Sequence, residues 1–124
     1  MKPQRIYIAY RYSNPPNVID ILANIGVAIK AGVEVAKKGH IPHIPHLDCL
    51  IAMYAEGKLS INFYYTLGMM DLQRSDAVLL LNKDDLKLNN GNNGVKREYE
   101  WAKINNLPIY YSVEEIPKSN TNFL

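Results

Sequence analysis

Apolar residues recur along this chain in two rhythms. From residue 18 they fall at threes and fours, at Val18, Leu22, Ile25, Ile29, Val33 and Ala36, which is the spacing of one helix face. Lys37 and Lys38 suit the negative end of that helix, and Gly39 suits its C-terminal cap. Residues 60–74 predict a second helix with Phe63, Leu67, Met70 and Leu72 inward, although Gly68 weakens it. Residues 95–106 predict a third, with Val95, Tyr99 and Ala102 as its stripe and Trp101 at the margin. The other rhythm is short and dense. Residues 5–10 are rich in Ile and Tyr and end in a Ser/Asn/Pro cluster, which reads as a strand. Residues 40–44 read as a second strand, which Pro42 and Pro45 push toward a sheet edge or an early end. Residues 76–82 hold an unbroken Ala-Val-Leu-Leu-Leu, the pattern of a strand covered on both faces. Residues 108–112 form a last short strand. Residues 47–55 read either as a helical turn or as an ordered loop, and the Asn-, Asp- and Gly-rich residues 83–93 as a loop.

Strands alternating with helices predict an α/β domain over residues 1–117, a doubly wound parallel sheet of four to five strands with helices on both faces. The polar tail, residues 118–124, is expected to fray. In such folds ligands bind beyond the carboxyl ends of the strands, where strand order reverses. Residues 10–17, 44–48 and 82–98 are therefore the places to look for chemistry.

Composition narrows the function classes. A chain of 124 residues with 1 Cys cannot carry an intramolecular disulfide framework or a Cys-based zinc site. Its formal net charge is +2 and no run of like charges stands out, so neither a nucleic-acid arm nor a membrane-binding patch is expected. No apolar run approaches the roughly 18 residues of a membrane span, and the first ten residues lack a signal-peptide core. The expectation is a cytoplasmic protein.

Glu98 is the first candidate for chemistry. It follows Gly94 by one helical turn and lies beside the Val95/Tyr99/Ala102 stripe, so it would be partly shielded near a helix N-terminus. An ionised, partly desolvated carboxylate is what a glycosidic nucleophile needs. The plainer reading is an acid that complements the helix dipole. Asp71 and Asp76 flank Arg74, and either serve a site or form a solvated pair with that arginine. The 3 histidines, His40, His43 and His46, fall three residues apart, so in an extended segment His43 would point away from the other two. Asp48 is close in sequence, but no acidic or Cys partner is placed to complete four ligands, so no metal is expected. His46, at the end of its strand, stands where it could touch a ligand. Of the 9 tyrosines, Tyr7, Tyr10 and Tyr12 cluster at the first strand and its exit, where a ring can stack on a base. Residues 89–94 contain neither a dinucleotide nor a P-loop fingerprint.

Several stretches together resemble the nucleoside 2-deoxyribosyltransferase-like superfamily, close to a small microbial and phage branch. Ile6-Tyr7-Ile8-Ala9 is similar to its opening strand, and Asn17-Val18 to the start of its first helix. Gly39-His40-Ile41-Pro42 with Pro45-His46-Leu47 looks like the second strand of the branch. Asp71 with Ser75-Asp76-Ala77-Val78 resembles the entry to its third strand. The most specific match is Asn93-Gly94-Val95-Lys96-Arg97-Glu98 with Ala102, a Gly, a Glu four later and an Ala four after that. The resemblance implies a flavodoxin-like fold without metal or organic cofactor. It implies Glu98 as a nucleophile on the anomeric carbon, Tyr7 orienting it, and Asp71 on the sugar hydroxyls. The substrate would be a small nucleoside or nucleotide.

The departures shape this expectation. Ala9-Tyr10-Arg11 stands where the family has Ala-Gly-Pro, so Tyr10 narrows the pocket. Asn92 and Asn93 occupy a loop that often carries an acid; Asn92 could recognise a base but cannot act as a general acid. Lys96 and Arg97 precede Glu98 and could attract a phosphate, assisted by Ser13 at the mouth of the first helix. The substrate is then a 2-deoxyribonucleoside or its 5′-monophosphate, cleaved or transferred. The alternative is a non-catalytic nucleotide- or nucleotide-sugar-binding module. So small a sheet would not enclose a nucleoside alone, which predicts a homodimer or larger assembly, through residues 62–70, with a neighbour closing the pocket.

Overall fold

The computed structural model describes residues 1–12, 17–88 and 93–124. Four strands form one parallel sheet, β1 (Arg5–Ala9), β2 (Ile41–His43), β3 (Ala77–Leu80) and β4 (Ile109–Tyr110), in the order β2-β1-β3-β4. Helices α1 (Val18–Lys37), α2 (Cys49–Ala55), α3 (Ile61–Gln73) and α4 (Gly94–Ile104) connect them. This is an α/β sheet of the flavodoxin-like kind, with four strands among the described residues. Pro42 lies in the edge strand β2, where a missing N–H can be tolerated. The apolar run of β3 is buried along its whole length. Residues 49–55, ambiguous from spacing, form a helix after a 3-10 turn at Pro45–Asp48.

Alternation along β1 divides the core in two. Ile6 and Ile8, with Ala77 and Leu79, pack against Ala28 and Val35 of α1 and against Ile116. Tyr7 and Ala9, with Val78 and Leu80, pack against Leu72 of α3 and Val95 and Ala102 of α4. Helices therefore cover both faces. The chain moves outward from β1 to β2 in one direction and from β3 to β4 in the other, so strand order reverses between β1 and β3. That is where a doubly wound sheet opens a crevice.

Two expectations are corrected. The face of α1 that meets the sheet is not the large-residue stripe. Its buried residues are Asn24, Ile25, Ala28, Gly32 and Val35, whereas Val18, Leu22, Ile29 and Val33 are exposed. The helix is apolar on two sides, and the side with smaller residues packs closer. A Cβ on Gly32 would come within 2.6 Å of Ile44 Cδ1. Secondly, the tail is not frayed at its start. Ser119 N–H donates to Lys38 O at 2.9 Å, Asn120 N–H to Met1 O at 2.7 Å, and the His40 ring bonds Pro117 O at 2.6 Å. Gly39, at φ +85, lets the tail cross this closely, since a Cβ there would stand 2.1 Å from Thr121 O. No helix among the described residues is long and apolar enough to cross a membrane.

Candidate active site

β1 delivers Tyr7 to the α3/α4 face, and α4 begins beyond the carboxyl end of β3. Asn93 caps α4 by accepting from Lys96 N–H at 3.0 Å, while its amide donates to Asp85 O at 2.7 Å and Leu88 O at 3.1 Å. That anchored start directs Glu98, one turn in, toward the centre of the sheet. The Tyr7 hydroxyl donates to Glu98 Oε2. Tyr7 is 1% exposed. Both residues line a half-open cavity of about 390 Å³, a volume ordinary for a small-molecule site.

The electrostatics of the pair follow from burial. Desolvation pushes the Glu98 carboxyl up to about 7, against the Tyr7 hydrogen bond and the Arg97 charge, which both favour its ionised form. Burial first, then the negative charge of Glu98, hold the Tyr7 hydroxyl well above its ordinary range. Tyr7 is thus a permanent donor, and Glu98 a carboxyl that is about half ionised near neutrality.

Sequence candidates gather unequally around this pair. Tyr7, Tyr10, His46, Gly94 and Glu98 line the cavity. His46 is 4% exposed, and its Nε2 lies 3.0 Å from Tyr10 O and 3.1 Å from Arg11 O. Both are acceptors, so the ring proton sits on Nε2. Burial lowers the pKa of the ring, keeping it neutral. His46 therefore ties down the exit of β1. Asn17 does not line the cavity; it caps α1, accepting from Asp20 N–H at 2.9 Å. Ser13 and Asn92 lie outside the described residues.

Asp71 does not line the cavity either, and its partner is not Arg74. It stands 3.1 Å from His43 Nε2 and 3.6 Å from Arg5 Nη2. Burial lowers the pKa of the His43 ring, and the Asp71 carboxylate beside it acts in the opposite direction. The His43 ring stacks on Tyr7 at 5.5 Å between centroids. Asp71 therefore reaches the site indirectly, through the ring that supports Tyr7. Asp76 accepts from Arg5 N–H at 2.8 Å. The three histidines serve three different neighbourhoods, and the described residues contain no group of His, Cys, Asp or Glu able to hold a metal.

Three features add to the roles expected from the sequence. Asp48 lines the cavity, and its carboxylate makes no capping bond to α2. Burial raises its pKa, partly offset by His43. Its signal was its place, in the segment after β2 where the strand ends. Asp85 is fully buried and holds Arg11 three times, at 2.9 Å to the backbone N–H, 2.7 Å to Nε and 2.7 Å to Nη2. Nothing in a loop sequence rich in Asp and Lys marks one acid as buried. Arg97 lies over the Tyr65 ring at 4.2 Å, and both line the cavity. The arrangement is an aromatic-walled cavity with one carboxyl poised near neutrality, a fixed phenol donor, a second carboxylate and a guanidinium. No family model matches this chain, and no curated protein matches it significantly.

Proposed function

We propose that this cavity cleaves or transfers the N-glycosidic bond of a 2-deoxyribonucleoside or its 5′-monophosphate, with Glu98 as the nucleophile. The observation that carries the reading is the Tyr7 hydroxyl donated to a half-buried carboxyl that lines a cavity at the strand reversal. Ionised Glu98 attacks the anomeric carbon. The bond from that carbon to the base breaks, its electron pair leaves on the base nitrogen, and that nitrogen takes a proton from water. The resulting glycosyl ester is opened by water or by a second base, which restores the carboxylate. Tyr7 orients Glu98 and favours its ionised form. Asp48, which lines the cavity, takes the sugar-hydroxyl contact expected of Asp71, and Asp71 holds the His43 ring behind Tyr7. Arg97 is the cation available to a 5′-phosphate, and the rings of Tyr10 and Tyr65 are available to the base. The protein works as a cytoplasmic homo-oligomer, dimer or higher, a reading supported by the exposed apolar residues of α1 and α2.

Incubation with a set of deoxynucleosides and monophosphates, with and without an acceptor base, tests the reading by chromatography of free base. The expected result is release by the wild type and a loss of about a thousandfold or more in Glu98→Ala. Release that persists unchanged in Glu98→Ala overturns the assignment. Saturable binding with no release marks a non-catalytic nucleotide-binding module instead.

A further inference from the structure

Helix α1 has a second apolar face that the sheet does not use. Val18, Leu22, Ile29 and Val33 are 72%, 62%, 37% and 49% exposed, and they line one side of a helix of 20 residues. No charged residue interrupts this stripe. At its middle stands Gly26, where a Cβ would meet nothing within 4 Å. A glycine in a mid-helix position is unfavourable relative to alanine, and no described neighbour of Gly26 needs the space. The spacing is also self-complementary. Leu22 and Ile29 stand equally far from the point between Ile25 and Gly26, and so do Val18 and Val33. An antiparallel copy crossing there would set Leu22 against Ile29 and Val18 against Val33, as an isologous twofold contact requires. Gly26 at the crossing would let the two backbones approach closely.

Helix length points to the same occupant. A standard interface takes roughly 800 Å² from each partner, and the 20 residues of α1 make it the longest helix among the described residues. The competing patch on α2 is Leu50, Met53 and Tyr54, on a helix of 7 residues. It offers a shorter surface without the symmetric spacing.

We propose that α1 pairs antiparallel with α1 of a second copy, across a twofold axis beside Gly26. This takes up the homo-oligomer proposed above, through α1 in place of residues 62–70, and is independent of the chemistry at Glu98. Sedimentation equilibrium at micromolar concentration should give two chains. Leu22→Glu should raise the dimer Kd at least 100-fold, because each dimer carries the change twice. Its far-ultraviolet circular dichroism should be unchanged, since Leu22 is exposed in the single chain. Gly26→Cys in a Cys49→Ser background should form a covalent dimer on mild oxidation, whereas Tyr54→Cys in the same background should not. A single chain at 50–100 µM overturns both the oligomer and the α1 contact. Two chains that persist in Leu22→Glu, or cross-linking through Tyr54→Cys rather than Gly26→Cys, overturn the α1 contact alone. None of these outcomes depends on release of base, so failure of the enzymatic reading is recognised separately.

Discussion

Tyr7 and Glu98 set one another's protonation, and this makes the pair testable one atom at a time. Burial is the largest influence on Glu98 and opposes ionisation; the Tyr7 hydroxyl is the largest influence favouring it. Removing the hydroxyl leaves desolvation less opposed. Tyr7→Phe should therefore move the Glu98 pKa further above 7, and the rising limb of the pH–rate profile should follow. A hydrogen bond to a charged group contributes about 1.5–3 kcal/mol, which corresponds to a displacement of roughly one to two pH units. At pH 7 the rate should fall about 5- to 50-fold, with part of it recovered at pH 9. Rates measured from pH 5 to 9 in both proteins check this. A profile that falls in height without moving would mean that Tyr7 only fills space. The same scale separates what sequence reading could reach from what it could not. Glu98 was legible because helical spacing places it beside an apolar stripe. The role of Asp71 was not, because its neighbours Arg5 and His43 come from other strands.

At the scale of elements, the exit of β1 is held from three directions. Asp85 grips Arg11, His46 holds the Tyr10 and Arg11 carbonyls, and Asn24 of α1 donates to Tyr12 O at 3.1 Å. These clamps keep three cavity-lining residues, Tyr10, Arg11 and Tyr12, in place without the Gly-Pro turn of the resembled family. Asp85→Ala leaves Arg11 without its carboxylate and should cost about 3–5 kcal/mol, the usual result of breaking a buried pair. Because the clamp touches the cavity wall and not the carboxyl proposed to react, KM should rise while kcat changes little. Urea melts and steady-state kinetics read the two effects separately, and a loss confined to kcat would count against the clamp. Helix α1 shows why the inward face escaped the periodicity. Two apolar sides compete for the sheet, and spacing alone favours the larger residues. Packing selects Ala28 and Gly32, because small residues let a helix sit close over β1 and β2. The existence and ends of α1 depended on local signals, its cap and its basic last turn, and those were readable.

Over the whole molecule, the order of elements was legible because each strand and helix announces itself within a few residues. The position of the strand reversal comes from the order β2-β1-β3-β4 in the fold, and it limits where a site can sit. What alternation does not contain is the cost of placing a carboxyl there, and that cost falls on global stability. Between about pH 4.5, the ordinary value for Glu98, and about 7, its value in the fold, the folded protein holds a proton that the unfolded chain has released. Stability from this group is therefore full below pH 4.5, falls as pH rises through the window, and levels off above 7. The shift corresponds to roughly 3 kcal/mol. His43 and His46 act in the opposite direction. Burial lowers both, so below about pH 6.5 the unfolded chain binds protons that the fold refuses, and stability is lost toward acid. The wild-type curve mixes these slopes, and the difference between wild type and Glu98→Gln isolates one of them. Glutamine keeps an acceptor for the Tyr7 hydroxyl and carries no charge to desolvate. Glu98→Gln should match the wild type near pH 4 and exceed it by about 3 kcal/mol at pH 8, while losing release of base. Urea melts of both proteins at half-unit steps from pH 4 to 8 measure that difference. A difference that stays constant with pH would mean that Glu98 is not desolvated in the fold, and the basis for its poise near neutrality would fail with it.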